Sequence, residues 1–283
     1  MVRNRAAVAC IVLVASNLVA SAGAAEDWSG LYLGGAMSAG RLKSSTSYLE
    51  QYESLWSERS FDVGEDRLTV RNVDDVITIG AHASDTGDIG PAAGFVFGGN
   101  FRFGRAVAGV EFNFDWADFT NVSTAHVEAT ATRTDTTVQS TNGGPFVPIL
   151  SYEESHTEKA DAEISSKLDW KTGVVGRLGF LVTESSLVYG LVGYARAGFS
   201  DAPFDTRAGV TLGAGLEASL GSGWFLRTEY RRTEFETWEF SSSTTQVDAS
   251  VWGTEQINHT SHLKFSASID EVRGALIYKF KGF

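Results

Sequence analysis

The stretch Lys167-Leu-Asp-Trp-Lys-Thr-Gly-Val-Val-Gly-Arg-Leu-Gly-Phe-Leu-Val182 decides the fold. Its even positions read Leu168, Trp170, Thr172, Val174, Gly176, Leu178, Phe180 and Val182. Its odd positions read Asp169, Lys171, Gly173, Val175, Arg177, Gly179 and Leu181. Successive side chains of a strand point to opposite sides, so this two-residue rhythm describes a strand whose two faces meet different solvents. Lipid on one side, a polar interior on the other and no open edge are the terms of a transmembrane β-barrel.

Seven further segments repeat the pattern, giving eight in all: 28–40, 91–103, 106–116, 167–182, 187–199, 207–220, 224–236 and 267–280. The outward set expected from them includes Leu31, Leu33 and Met37; Phe95, Phe97, Phe101 and Phe103; and Val110, Phe112, Phe114 and Trp116. It continues with Leu187, Tyr189 and Leu191; Val210, Leu212 and Leu216; Trp224, Leu226 and Tyr230; and Val272, Leu276, Tyr278 and Phe280. Aromatic residues gather near segment ends, where a membrane interface favours them.

Connections alternate in length. Gly104-Arg105, Thr183–Ser186 and Gly221–Gly223 read as tight turns, whereas about 41–90, 117–166, 200–206 and 237–266 read as longer loops. Short turns on one side and long loops on the other is the asymmetry of outer-membrane barrels. Within the loops, Arg67–Arg71, Val76–Ile79 and Thr130–Val138 also alternate, which predicts partial order as hairpins beyond the membrane.

The N-terminus gives the address. Met1-Val-Arg-Asn-Arg5, the apolar run Ala6 to Val19 and the small residues Ala22-Gly-Ala24 read as a signal peptide over 1–25, cut after Ala24 or Ala25. A single domain over 26–283 follows. The apolar run Ala6 to Val19 falls short of the roughly 20 residues of a spanning helix, and no other run reaches that length. The sole cysteine, Cys10, lies in this leader, so no disulfide is expected in the mature chain.

Net charge is −12, and becomes −14 once the leader's Arg3 and Arg5 are removed. The stretch 41–90 holds 5 basic and 10 acidic residues and 117–166 holds 2 and 8, so the acidity belongs to the loops. Such a surface repels phosphate, which argues against nucleic acid as a partner. Solubility is the simpler reading of the acidity, ahead of recognition of a basic partner.

Charges of both signs fall on the expected lumen parity: Arg102, Glu111, Asp115, Arg177, Arg196, Glu217, Arg227, Glu229, Arg231, Glu271 and Arg273. The interior of an eight-stranded barrel is just wide enough for side chains to fill it, so these groups are expected to pair and plug the tube; a gate is the alternative.

Several motifs together resemble the small alphaproteobacterial outer-membrane β-barrel proteins, the porin-family or OmpA-like immunogenic group. They are Trp28-Ser-Gly-Leu-Tyr-Leu-Gly-Gly35, Phe95-Val-Phe-Gly-Gly-Asn-Phe101, Ala108-Gly-Val-Glu-Phe-Asn-Phe114, Gly176-Arg-Leu-Gly179, Leu187-Val-Tyr-Gly190, Thr211–Glu217 and Trp224–Tyr230. The resemblance implies an all-β, eight-stranded antiparallel up-and-down barrel. It also implies recognition by the barrel assembly machinery through a final strand ending in an aromatic residue, with Phe280 and Phe283 both placed to serve. The surroundings would be outer-membrane lipid and lipopolysaccharide.

Function then divides into classes. An envelope structural or surface-exposed interaction protein comes first, a narrow porin for small solutes or ions second, and a lipid-modifying enzyme a distant third. The histidines His82, His126, His156, His259 and His262 all lie in the loop stretches. The pair His259-Asn-Thr-His262 lacks a third metal ligand. Gly213-Ala-Gly215 precedes no helix and is not a phosphate loop. No cofactor, metal or catalytic residue is expected, and any extracellular partner of the loops is unspecified.

Overall fold

The computed structural model describes residues 27–200, 205–250 and 253–280. Residues 1–26, where the signal peptide is expected, 201–204, 251–252 and Lys281–Phe283 lie outside the described residues. Among the described residues nine strands follow in order: β1 Gly30–Asp62, β2 Arg67–Phe103, β3 Ala106–Thr141, β4 Val147–Thr183, β5 Ser186–Ser200, β6 Thr206–Gly221, β7 Trp224–Phe235, β8 Trp238–Ala249 and β9 Gly253–Lys279. Every described pairing is antiparallel, and β1 closes the cylinder against β9, from Tyr32↔Lys279 upward.

Nine strands make eight staves. β7 pairs with 268–278 of β9 and β8 pairs with 254–265 of the same strand, so β7 and β8 lie end to end on one edge of β9. Tight turns close the lower end where Gly104, Ser222 and Gly223 adopt positive φ of 63°, 56° and 84°. Glycine tolerates this shape without cost at Gly104 and Gly223, whereas Ser222 adopts it as a non-glycine residue within the turn.

The long stretches expected as loops are largely strand. β1 and β2 run on together to the turn after Asp62, with Asp62↔Arg67 the last pair, and β3 and β4 run on to Gln139↔Val147. Thr- and Val-rich sequence supplies the β-branched residues that a pleated sheet favours. Spanning requires only about 9–11 residues per strand, so most of each long strand stands clear of the membrane. β5 and β6 stop at Ser200 and Thr206. The projecting wall is therefore an open sheet in the order β8-β9-β1-β2-β3-β4, with β8 and the upper part of β4 as its free edges.

Outside, the expected apolar parity holds on most staves: Met37 is 74% exposed, Phe101 and Phe103 69%, and Leu212 57%. On β5 it is reversed. Leu187, Tyr189 and Leu191 are buried in the lumen, and Val188, Val192 and Tyr194 face out. Both parities of Leu187–Val192 are apolar, so alternation alone could not choose between them. On β4, Leu168 shares the parity of lipid-facing Val174 yet is fully buried. The register slips at Leu168/Trp170 and at Trp116/Phe119, a bulge that turns the strand over. Asp169, expected on the inner parity, is left partly exposed beside Lys167, 3.8 Å away.

Candidate functional site

The lumen is built in layers. Alternation on eight staves aims one set of side chains at the axis, and burial there forces each charge to find an opposite one. The lower layer is apolar: Trp28, Val107, Leu181, Leu187, Phe225 and Ile277 form part of one buried cluster. Trp28 meets Phe225 edge-on at 5.0 Å, and its indole N–H donates to the Glu184 carbonyl at 3.0 Å.

Above it lies an ionic layer. Lys279 pairs with Glu217 at 2.8 Å, and Glu217 takes Arg227 at 2.8 Å and Arg177 at 2.9 Å. Arg227 also reaches Glu111, which accepts from Arg231 at 2.8 Å. Arg231 closes on Glu229 at 2.6 Å. Two phenols complete the shell, Tyr32 donating to Glu111 at 2.9 Å and Tyr189 to Glu229. The Arg177 guanidinium lies 4.0 Å from the Tyr189 ring centroid. Higher up, Lys171 pairs with Glu271, and Arg273 with Asp115 at 2.6 Å. Asn113 links the two groups, accepting from Arg231 at 3.3 Å and donating to Asp115 at 3.2 Å.

Glycine makes room for the large rings. A Cβ on Gly98 would fall 2.5 Å from the Tyr32 ring and 2.6 Å from the Val110 carbonyl, and one on Gly215 would fall 2.5 Å from the Tyr189 hydroxyl.

A second apolar layer closes the upper end. Leu42, Phe119, Leu168, Phe199, Phe235 and Ile269 belong to it, with Phe199 against Phe235 at 5.3 Å. The bulge that turns Leu168 inward lies at this level. The ionic layer is thus bounded above and below by hydrocarbon.

Of the eleven charged residues expected at the axis, Glu111, Asp115, Arg177, Glu217, Arg227, Glu229, Arg231, Glu271 and Arg273 are buried there. Arg102 is not: it sits at the lower rim, where it pairs with Glu184 at 2.9 Å and donates to the Gly104 carbonyl. Arg196 faces outward and donates to Thr206 at 3.0 Å, because it shares the parity of Val192 and Tyr194. Lys171 and Lys279 belong to the network and were missing from that set. The inner parity of Lys171 was legible in the sequence; Lys279, two residues beyond Ile277, was hidden by its place at the end of the last strand.

Outside the lumen, the histidines make separate contacts on the wall. His126 lies 2.7 Å from Asp161, and His262 lies 2.7 Å from Ser241. His259 stacks on Tyr52 at 4.1 Å and bonds Glu50 at 2.8 Å. Tyr48 donates to the same carboxylate at 2.6 Å. These two hydrogen bonds hold the Glu50 carboxyl below its ordinary value, and the bond to Glu50 pushes the Tyr48 phenol up to about 12. No group of three or more metal-ligating side chains occurs among the described residues.

Comparison with known proteins follows the same line. The 31 kDa outer-membrane immunogenic proteins of Brucella melitensis and Brucella suis are each 34% identical over 87 residues, covering 26% of this chain. That match spans only 36% of their length. Among solved structures, the outer membrane protease OmpT of Escherichia coli aligns with TM-score 0.30 at 10% identity, covering 88% of this chain and 97% of its own. Ail, the attachment invasion locus protein of Yersinia pestis, aligns with TM-score 0.23 at 11% identity, covering 80% and 98%. Residues 7–255 match the model of the outer membrane protein beta-barrel domain, and the chain belongs to that family of the Gram-negative outer membrane.

Proposed function

We propose that this outer-membrane barrel is a sealed, non-enzymatic envelope protein that anchors a tall, acidic interaction wall in the outer membrane. The observation that carries the reading is the layering of the lumen: the ion pairs around Glu111, Glu217 and Arg227 lie between two apolar layers. A continuous aqueous channel in a barrel generally needs about 16 strands. Eight staves whose interior carries Trp, Phe, Leu and paired Arg side chains support a closed lumen.

The wall supplies the outward half of the reading. It is strand rather than slack loop, so it holds side chains in fixed register above the cell surface, and its charge is strongly negative. Its partners would be outer-membrane lipid and lipopolysaccharide at the base, with the assembly machinery engaging the closing aromatic strand during insertion.

Single-channel recording in planar bilayers tests this. The full chain is expected to insert without steady conductance steps. Reproducible openings that change with Glu111→Gln or Arg177→Gln would replace it with the narrow-porin reading.

A further inference from the structure

Above the lipid-facing band, the outer surface of β7, β9 and β1 carries a small lattice of polar side chains fixed by register. Arg41 lies opposite Asp270, which lies opposite Arg232. One step higher, Lys43 lies opposite Ser268, which lies opposite Glu234. The next step adds Ser45 opposite Ser266. Neighbouring strands are about 4.8 Å apart, so the three cations fall within roughly 10 Å of one another.

A cavity of about 500 Å³ opens among Lys43, Ser45, Arg232, Ser266 and Ser268, where the stave breaks between β7 and β8. Glu234 also lines it, Asp270 and Arg41 lie one step below its lining, and both carboxylates are already engaged. Asp270 accepts from Lys43 at 2.7 Å and from Tyr230 at 2.7 Å, and Glu234 takes Arg232 at 2.9 Å. Arg41 is exposed, and among the described residues its side chain makes no hydrogen bond or ion pair. The patch keeps a net positive charge beneath a strongly acidic wall.

Immediately below, the same three strands turn apolar: Met37 and Ala39 on β1, Val272 and Leu276 on β9, Tyr230 on β7. Gly35 and Gly274 leave a furrow among them, with nothing within 4 Å of a Cβ at Gly35. A cation and hydroxyl pocket directly over a greasy furrow, at the outer boundary of the membrane, has the polarity of one amphiphile with a phosphate head and acyl tails.

We infer that Arg41, Lys43 and Arg232, with the hydroxyls of Ser45, Ser266 and Ser268, form a headgroup site for the phosphate of an outer-leaflet lipid, lipopolysaccharide, whose acyl chain lies along Val272 and Gly274. The inference rests on the proposed lipid partnership and locates it. It is independent of whether the lumen conducts. Arg41 supplies the free charge, and Lys43 and Arg232 are held in place by Asp270 and Glu234. Guanidinium and ammonium donors with hydroxyl groups are the usual complement of phosphate oxygens.

The full chain, refolded in zwitterionic detergent, is titrated with phosphorylated lipopolysaccharide and with its dephosphorylated form, bound lipid being counted by native mass spectrometry. The native chain is expected to prefer the phosphorylated form at least tenfold, with a preference that falls as salt is raised. Arg41→Ala combined with Lys43→Ala and Arg232→Ala should abolish the preference while heat-modifiable migration persists, and R41K with R232K should retain most of it. Should the triple variant fail to fold, Arg41→Ala alone, which breaks no internal contact, is expected to weaken binding. Equal binding of the two lipids, unchanged binding by Arg41→Ala, or displacement of the lipid by millimolar inorganic phosphate would overturn the assignment, the last by making it a free-anion site.

Discussion

Arg231 of β7 reaches Glu111 of β3 across the full width of the lumen, Nη2 to Oε1, at 2.8 Å. The two staves face one another in the cylinder, four places apart, so the contact ties opposite walls that share no backbone hydrogen bond. Glu111 is fully buried and also receives Arg227 and the Tyr32 hydroxyl. Removing it takes a carboxylate from both guanidiniums and leaves Arg227 to Glu217 and Arg231 to Glu229 alone in a fully buried layer. Glu111→Ala is therefore expected to cost about 3–5 kcal/mol, the scale of a broken buried pair. Arg102→Ala, at the rim with its side chain 26% exposed, should cost under about 1 kcal/mol. Urea unfolding of both variants in lipid vesicles measures the contrast, and equal losses would remove the distinction between axis and rim.

The reversed parity of β5 makes its own prediction. Val192 faces lipid and is 55% exposed, whereas Leu191 beside it is buried in the lumen. An arginine at a lipid-facing position near the bilayer midplane costs about 2–4 kcal/mol. Val192→Arg should therefore lower stability by that amount, and Arg196→Val, on the same outward side near the membrane boundary, should be neutral or stabilising. Vesicle unfolding reads both; a large loss from Arg196→Val would return that residue to the lumen.

These two strands show how far alternation could be read. Where one parity is charged and the other apolar, as at Arg227, Glu229 and Arg231 against Trp224, Leu226 and Tyr230, the sequence placed each side chain on the correct face. Where both parities are apolar, as in Leu187–Val192, period two holds but its phase is open, and only the closing of the sheet sets it. Arg196 was misplaced for the same reason, its phase being inherited from that ambiguous run. The bulge at Asp169 was invisible because an inserted residue changes the phase without changing composition. The extent of the wall was half legible: Val76–Ile79 alternates, while the polar Ser/Thr and acidic stretches between such pieces read equally as loop.

Gly98 tests close approach inside the barrel. Its missing side chain accommodates the Tyr32 ring, and the Val110 carbonyl stands equally near. Gly98→Ala is expected to destabilise by about 1–3 kcal/mol, the usual cost of overpacking. Adding Tyr32→Leu should recover only part of the loss, because the carbonyl remains. Full recovery in the double variant would mean that the ring alone sets the constraint.

The wall carries a titrating contact between β1 and β9. Glu50 is held below the ordinary carboxylate range of about 4.3 by hydrogen bonds from Tyr48 and His259. A carboxyl lowered in the folded state contributes stability that is fully present above its unfolded value and is lost as pH falls through the folded one. Amide exchange at Tyr52↔His259 and its neighbouring pairs should therefore be slow and constant near pH 6 and quicken as pH drops below about 4, after correction for intrinsic rates. Glu50→Gln should remove that dependence. Tyr48, raised to about 12 by the same carboxylate, works in the opposite sense: its contribution is present below pH 10 and lost as pH approaches 12.

The membrane-embedded cylinder should assemble without the projecting part of its first hairpin. Strand pairs from Ser44↔Asp85 upward stand above Leu42, the residue of β1 that belongs to the upper apolar layer. Deleting 45–85 therefore leaves both apolar layers, the ionic layer and every lipid-facing residue of β1 and β2 in place. It also exposes the upper edges of β3 and β9, which lie outside the bilayer, where water satisfies their backbone groups. Heat-modifiable migration and protease protection of the remaining strands are expected to match the full chain. Loss of insertion would mean that the projecting wall nucleates the barrel instead of standing on it.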